Sequence, residues 1–173
     1  MKTKAKIMIV DDAEMNREIL MVILGDEYDY VQAENGRQAI HILQQDMNID
    51  LMLLDINMPE MNGFEVSEKL KANPVTQNIP IIFLTALNTT SDIVKGFKVG
   101  ANDFISKPFN KEELVIRVTH QISLVAAKRI ILRQTEELRK TIMGRDKLYS
   151  VIAHDLRSPM GSIKMVLNML ILS

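Results

Sequence analysis

The sequence predicts an α/β fold, a doubly wound parallel sheet of five strands with helices on both faces, continued by a long C-terminal helix. Two observations carry this. Five short apolar runs alternate with five amphipathic stretches over the first two thirds of the chain, which is strand and crossover helix repeated. Between Asn110 and Leu156 there is no proline and a single glycine, Gly144, so the last third contains almost nothing that interrupts a helix.

The expected strands are KIMIV (6–10), YVQAE (30–34), DLMLLD (50–55), IPIIFLTA (79–86) and DFISKP (103–108). Runs this short, continuously apolar and flanked by turn residues suit strands buried on both faces. Helical periodicity falls at 13–24, 36–45, 63–72, 90–99 and 110–124. Asn110 fits as the N-cap of the last of these, with Glu113 three residues on as its capping-box partner.

Bulk composition limits the function. At 173 residues the chain has room for one ordinary domain plus an appendage. Its 47% hydrophobic and 25% charged residues are those of a chain that buries a proper core. The 21 basic and 22 acidic residues leave a net charge of −1, which gives no broad basic field for nucleic acid. Cysteine is absent, which excludes disulfides and thiolate metal sites and fits a reducing compartment. The start, MKTKAKIMIVDD, has too few apolar residues for a signal peptide. No run approaches the roughly 18 apolar residues of a membrane span, and the chain is read as cytoplasmic.

In an open α/β sheet the functional crevice lies beyond the carboxyl ends of the strands. There the first strand ends at Asp11 and Asp12, the third at Asp55, the fourth at Thr85, and the fifth carries Lys107 before Pro108. Taken singly, Asp11 and Asp12 read as caps of the first helix, Asp55 as a turn residue and Lys107 as a solvated charge. All five at one edge read as a site. Three converging carboxylates repel one another, and a hard divalent cation relieves that repulsion. Mg²⁺ takes oxygen ligands and commonly uses one or two carboxylates plus phosphate oxygens. A hydroxyl and an ammonium opposite suit the remaining oxygens of a phosphoryl group.

These residues resemble the receiver domains of two-component response regulators over about residues 4–124. The shared pattern is the acid pair Asp11 and Asp12, Asp55 followed by Met58, Pro59 and Gly63, Thr85 with Ala86, and Lys107 with Pro108. The resemblance implies a flavodoxin-like strand order, 2-1-3-4-5. It makes Asp55 the phosphoacceptor, and has Asp11, Asp12, Asp55 and the backbone carbonyl of Asn57 hold Mg²⁺. Thr85 and Lys107 would contact the phosphoryl oxygens, Phe104 would be the switch aromatic, and the Lys107–Pro108 peptide would be cis. The implied partner is a phosphohistidine donor protein.

Beyond residue 124, Ile131, Leu138, Ile142, Tyr149, Ile152 and Leu156 recur at spacings of seven, four, seven, three and four. This approximates a heptad seam, interrupted at Thr135 and Arg145. It implies a helical coiled-coil linker over 125–146 and a parallel homodimer, with Gly144 as the weak point. The string SVIAHDLRSPMGSI (150–163) then resembles the phosphoacceptor box of histidine kinase dimerisation domains. On that resemblance His154 is the nucleophile and Asp155 the adjacent acid, with Arg157 and Pro159 also matching and Ser158 standing where Thr or Asn often aids phosphatase activity. Pro159 removes a donor and crowds the carbonyl of Asp155, so a bend is expected there. Residues 147–173 then form a truncated dimerisation and phosphoacceptor segment, the front of a hybrid histidine kinase without its ATP-binding domain. About 44 helical residues from Asn110 to His154 span on the order of 65 Å, too far for direct transfer to Asp55 of the same chain. Two other classes compete. A haloacid-dehalogenase-type phosphatase wants an acid where Asn57 stands, and a phosphorylation-independent dimerisation module would leave Asp55 unused.

Overall fold

In the computed structural model the five apolar runs form one parallel sheet, in the order β2-β1-β3-β4-β5. The structure describes residues 4–46, 48–86 and 90–171, and leaves out the side chains of 158–164, 166 and 168–171. The strands are β1 (Ala5–Val10), β2 (Tyr28–Ala33), β3 (Leu51–Asp55), β4 (Ile81–Thr85) and β5 (Asp103–Ser106). The crossovers are α1 (Glu14–Leu24), α2 (Gly36–Gln45), α3 (Gly63–Ala72) and α4 (Thr90–Lys98), and α5 (Lys111–Ile171) follows β5. The chain divides into two compact units, Met1–Ala126 and Ala127–Ser173. Among the described residues no helix is long and apolar enough to cross a membrane.

The sheet of the first unit separates two cores, because alternate residues of a buried strand point to opposite faces. On one face Met8, Val10, Met52, Leu54 and Phe83 pack with Ala39 and Leu43 of α2 and Phe64, Val66 and Leu70 of α3. On the other, Ile7, Ile9, Leu53, Ile82 and Leu84 pack with Leu20 and Leu24 of α1 and Leu114 and Val118 of α5. Every residue of β3 and β4 is buried, which is why both strands read as apolar runs up to the polar residues, Asp55 and Thr85, that end them. The registers Val10↔Leu54 and Asp55↔Leu84 align the strand ends along one edge. The cores therefore fix where the polar residues just beyond them stand.

Four local details differ from the sequence reading. Strand β2 starts two residues earlier than expected, at Tyr28, because this edge strand is only half-buried and alternates instead of running apolar. A short 3-10 turn, Gly25–Glu27, precedes it, opened by Gly25 at φ 71°, in the left-handed region that glycine adopts freely. The fifth strand stops at Ser106, ahead of the cis Lys107–Pro108 peptide. Neither aspartate caps α1, whose N-cap is Ala13 with no side-chain bond.

Only half of the capping box at the start of α5 forms. Asn110 Oδ1 accepts from the Glu113 amide at 2.9 Å, whereas the Glu113 carboxylate pairs with Arg117 at 2.9 Å. A complete box occurs instead at α3, between Asn62 and Glu65. α5 runs through Gly144 without a break, since an exposed glycine lowers helix stability by about 1 kcal/mol without forbidding the helix. α5 also continues past Pro159, where a bend is expected, without a break in the helix, and the side chains of Ser158 and Pro159 lie outside those described.

Candidate functional site

The carboxyl edge of the sheet brings Asp11, Asp12, Asp55 and Lys107 together. Asp11 follows β1 and is fully buried, Asp55 ends β3 and is buried, and Asp12 is exposed. Their carboxylate oxygens lie within 4.8 Å of one another. Lys107, carried just past β5, places Nζ 2.8 Å from Asp11 Oδ2 and 3.1 Å from Asp55 Oδ2. Its backbone N–H donates to the Thr85 carbonyl at 2.8 Å, so the ends of β4 and β5 are tied where the ammonium turns inward. Thr85 itself is buried at the end of β4, one residue past the partner of Asp55.

One ammonium does not balance three carboxylates. Burial pushes the Asp55 carboxyl above the usual carboxylate range, the Lys107 hydrogen bond and charge offset part of this, and Asp11 adds to it. Burial works against the Lys107 charge, but its bonds to Asp11 and Asp55 outweigh that and hold its pKa above the ordinary lysine value. The pocket is therefore short of positive charge. Its donor set is oxygen only, close-set and partly buried, which fits Mg²⁺. The Asn57 amide donates to Asp55 Oδ1 at 3.3 Å, so the loop after β3 folds back against the acid.

Two residues unremarked in the sequence hold Asp11 in place. Asn16 Nδ2 donates to both Asp11 oxygens at 3.1 Å, and the Ala13 amide to Oδ1 at 2.9 Å. Arg17 Nη1 donates to the Asp11 carbonyl at 2.7 Å while its Nε reaches Gln32 of β2 at 3.0 Å. Under Asp55, Gly63 is required for space: a Cβ there would overlap the Asp55 carbonyl and crowd Ile56 Cα.

Phe104 pairs with Phe83 across β4 and β5 and is half-buried. It joins a run of four rings in which Phe64 meets Phe83 at 5.3 Å, Phe83 meets Phe104 at 5.7 Å, and Phe104 meets Phe97 at 4.9 Å between centroids. The run links the start of α3, beside the acid pocket, to Phe97 on the exposed side of α4. His154 and Asp155 belong to the second unit. Both are exposed, and His154 Nδ1 lies 3.5 Å from Asp155 Oδ1, the outer limit of a hydrogen bond.

The first unit is thus a parallel five-stranded α/β domain with an acid pocket and an inward lysine at its carboxyl edge. Residues 7–119 match the response regulator receiver domain, and the chain belongs to that family. It is 41% identical over 135 residues to the response regulator PleD of Caulobacter vibrioides, covering 76% of this chain and 29% of PleD. It is 42% identical over 113 residues to the phosphate regulon transcriptional regulatory protein PhoB of Pseudomonas aeruginosa, covering 65% of this chain and 49% of PhoB. Among solved structures, the signal receiver domain of a signal transduction histidine kinase from Syntrophus aciditrophicus superposes with a TM-score of 0.64 at 36% identity, covering 69% of this chain and 90% of that one. The chain spans less than a third of PleD and about half of PhoB.

Proposed function

We propose that the first unit is a phosphorylation switch in which Asp55 accepts a phosphoryl group from a phosphohistidine protein, and that its state regulates a histidine kinase segment through a dimeric helix. The observation that carries this is the pocket itself: a buried carboxylate, 3.1 Å from an ammonium and beside two further acids. An Asp55 oxygen attacks phosphorus, a P–O bond forms, and the N–P bond breaks with its electron pair left on the donor imidazole. Lys107 stays protonated and offers N–H donors to the phosphoryl oxygens as a point charge. Thr85 supplies a hydroxyl to the same group. Asp11, Asp12, Asp55 and the Asn57 carbonyl would hold Mg²⁺, which neutralises charge on the transferring group when bound. Asp11 is kept in position by Asn16 and Arg17.

On the same reading the chain comprises a receiver domain over 1–124, a helical linker over 125–146 and a phosphoacceptor segment over 147–173. Phe104 and its ring neighbours carry the state of Asp55 toward α4 and β5. The linker pairs with a second copy of the chain. His154 is the phosphoacceptor of the attached segment, with Asp155 as its polarising acid, and similarity to a histidine kinase receiver supports such an attachment. The site is tested by beryllofluoride, which mimics a bound phosphoryl group. With Mg²⁺ it should shift the amide resonances of Asp55, Asn57 and Thr85 in one saturable step. Identical spectra with and without it would defeat the proposal.

A further inference from the structure

The second unit, taken by itself, bares a face that an isolated helix cannot satisfy. Ile131, Leu138, Ile142, Tyr149, Ile152 and Leu156 are between 43% and 63% exposed. Helices gain most of their stability from packing such a stripe against something. In heptad register, Ile131, Leu138, Arg145 and Ile152 occupy d positions, and Thr135, Ile142, Tyr149 and Leu156 occupy a positions. The two polar members of the seam differ. Thr135 satisfies its hydroxyl within its own helix, donating to the Ile131 carbonyl at 2.8 Å. Arg145 is exposed and, among the described residues, makes no ion pair, although Arg139 and Lys140 nearby both pair with Glu136. Asp146 is likewise exposed and unpaired among the described residues. Arg145 and Asp146 are sequence neighbours and so do not face each other on one helix.

A parallel two-stranded coil resolves both charges at once. A d residue enters a hole of four residues on the facing helix, and with both chains in register that hole includes the facing d residue and the e residue after it. Arg145 at d therefore meets the other Arg145 and Asp146. Two guanidiniums alone in one layer would repel; flanked by two carboxylates, the layer is neutral. We infer that the seam is occupied by a second copy of this chain, parallel and in register, with Arg145 of each copy paired to Asp146 of the other. This rests on the dimeric-helix reading above and names what sets its register. A single polar layer in an apolar seam fixes alignment at some cost in stability, and slipping by one heptad would set one Arg145 beside Leu138 and the like-charged Arg139, and the other beside Ile152 and Ala153, with no carboxylate in either layer.

The test uses the full chain, which has no cysteine. Leu138→Cys should form an interchain disulfide with glutathione disulfide as oxidant, because only parallel, in-register copies bring the two thiols into one layer. Sedimentation should show that Arg145→Asp weakens the dimer about tenfold or more, since each layer then holds four carboxylates, and that Asp146→Arg does the same with four cations. The exchange Arg145→Asp with Asp146→Arg should restore the wild-type dissociation constant to within about threefold. Labelling by acetyl phosphate verifies that the first unit is folded in every variant. A dimer that tolerates Arg145→Asp, shows no cross-link in the Leu138→Cys variant, or is not restored by the exchange overturns the Arg145–Asp146 pairing while leaving dimerisation standing. A chain that sediments as a monomer at high micromolar concentration overturns the dimeric-helix reading itself.

Discussion

Replacing Lys107 by methionine removes the ammonium that, among the described residues, pairs with both Asp11 and Asp55, while preserving most of the side chain's volume. Asp11, with a fully buried side chain, and Asp55, with a side chain 5% exposed, then face each other without a counter-charge. Within their 4.8 Å limit the two carboxylates repel by about 3.5 kcal/mol at an effective dielectric constant of about 20. Breaking a buried pair from one side costs about 3–5 kcal/mol. The protein can escape by protonating Asp55, which burial already favours. For an ordinary aspartate, with a pKa of about 3.9, that costs about 4 kcal/mol at pH 7 and about 1.5 kcal/mol at pH 5. The expected loss is therefore about 3–4 kcal/mol at pH 7 and less than half of that at pH 5. The sign follows because the variant's folded state holds a proton that the unfolded chain has released, so its stability falls as pH rises. The assay is urea unfolding with EDTA, followed by the fluorescence of Tyr28 and Tyr30 in a Tyr149→Phe background. Added Mg²⁺ should recover much of the loss and stabilise the variant more than the wild type. A loss below about 1 kcal/mol, or one equal at pH 5 and pH 7, would show that Lys107 does not neutralise this pair.

Three further outcomes are expected, the first two from particular contacts and the third from the helix length expected between Asn110 and His154. Gly63→Ala puts a Cβ against the Asp55 carbonyl, backbone that has no room to yield; unfolding should show a loss of about 1–3 kcal/mol, and acetyl phosphate labelling should slow more than in Gly144→Ala, where a Cβ meets nothing within 4 Å. Tyr30, half-buried with its hydroxyl donating to the Gly25 carbonyl at 2.6 Å, has its pKa pushed up to about 12, first by burial and then by Tyr28, Asp26 and Glu27. Ultraviolet titration should find one tyrosine ionising near there, absent in Tyr30→Phe; the fold loses the preference for the neutral phenol as pH rises from about 10 through that value. Phosphate placed on His154 by an ATP-binding domain supplied in trans should stay off Asp55 of the same chain; rapid movement to Asp55 at a rate independent of concentration would refute this.

The fold was legible because parallel strands buried on both faces are apolar along their length, as Leu51–Leu54 and Ile81–Leu84 are, with Asp55 and Thr85 the polar residues at their ends. The same rule misplaced the start of β2, whose Tyr28, Asp29 and Tyr30 alternate at a half-buried edge. The positions of Asp11, Asp12, Asp55 and Lys107 were legible because strand ends in such a sheet share one edge. Asn16 and Arg17 were not. Their grip on Asp11 depends on how the first turn of α1 is rotated against β1, and a run of polar residues at the start of a helix reads equally well as solvated surface. The complete capping box fell at Asn62 and Glu65, not at Asn110, because Arg117 bridges Glu113 and Asp103 in the folded chain. That competition is tertiary and has no local signature.

Whether Asp55 is the phosphoacceptor is settled most directly by locating phosphate on the chain. Incubation with acetyl phosphate and Mg²⁺, followed by reduction of the acyl phosphate with borohydride and peptide mass spectrometry, should mark Asp55 alone. EDTA should abolish the label, and so should Asp55→Asn, with Asp11 and Asp12 unmarked in both. Full labelling of Asp55→Asn, or labelling of the wild type on any residue other than Asp55, would contradict the assignment.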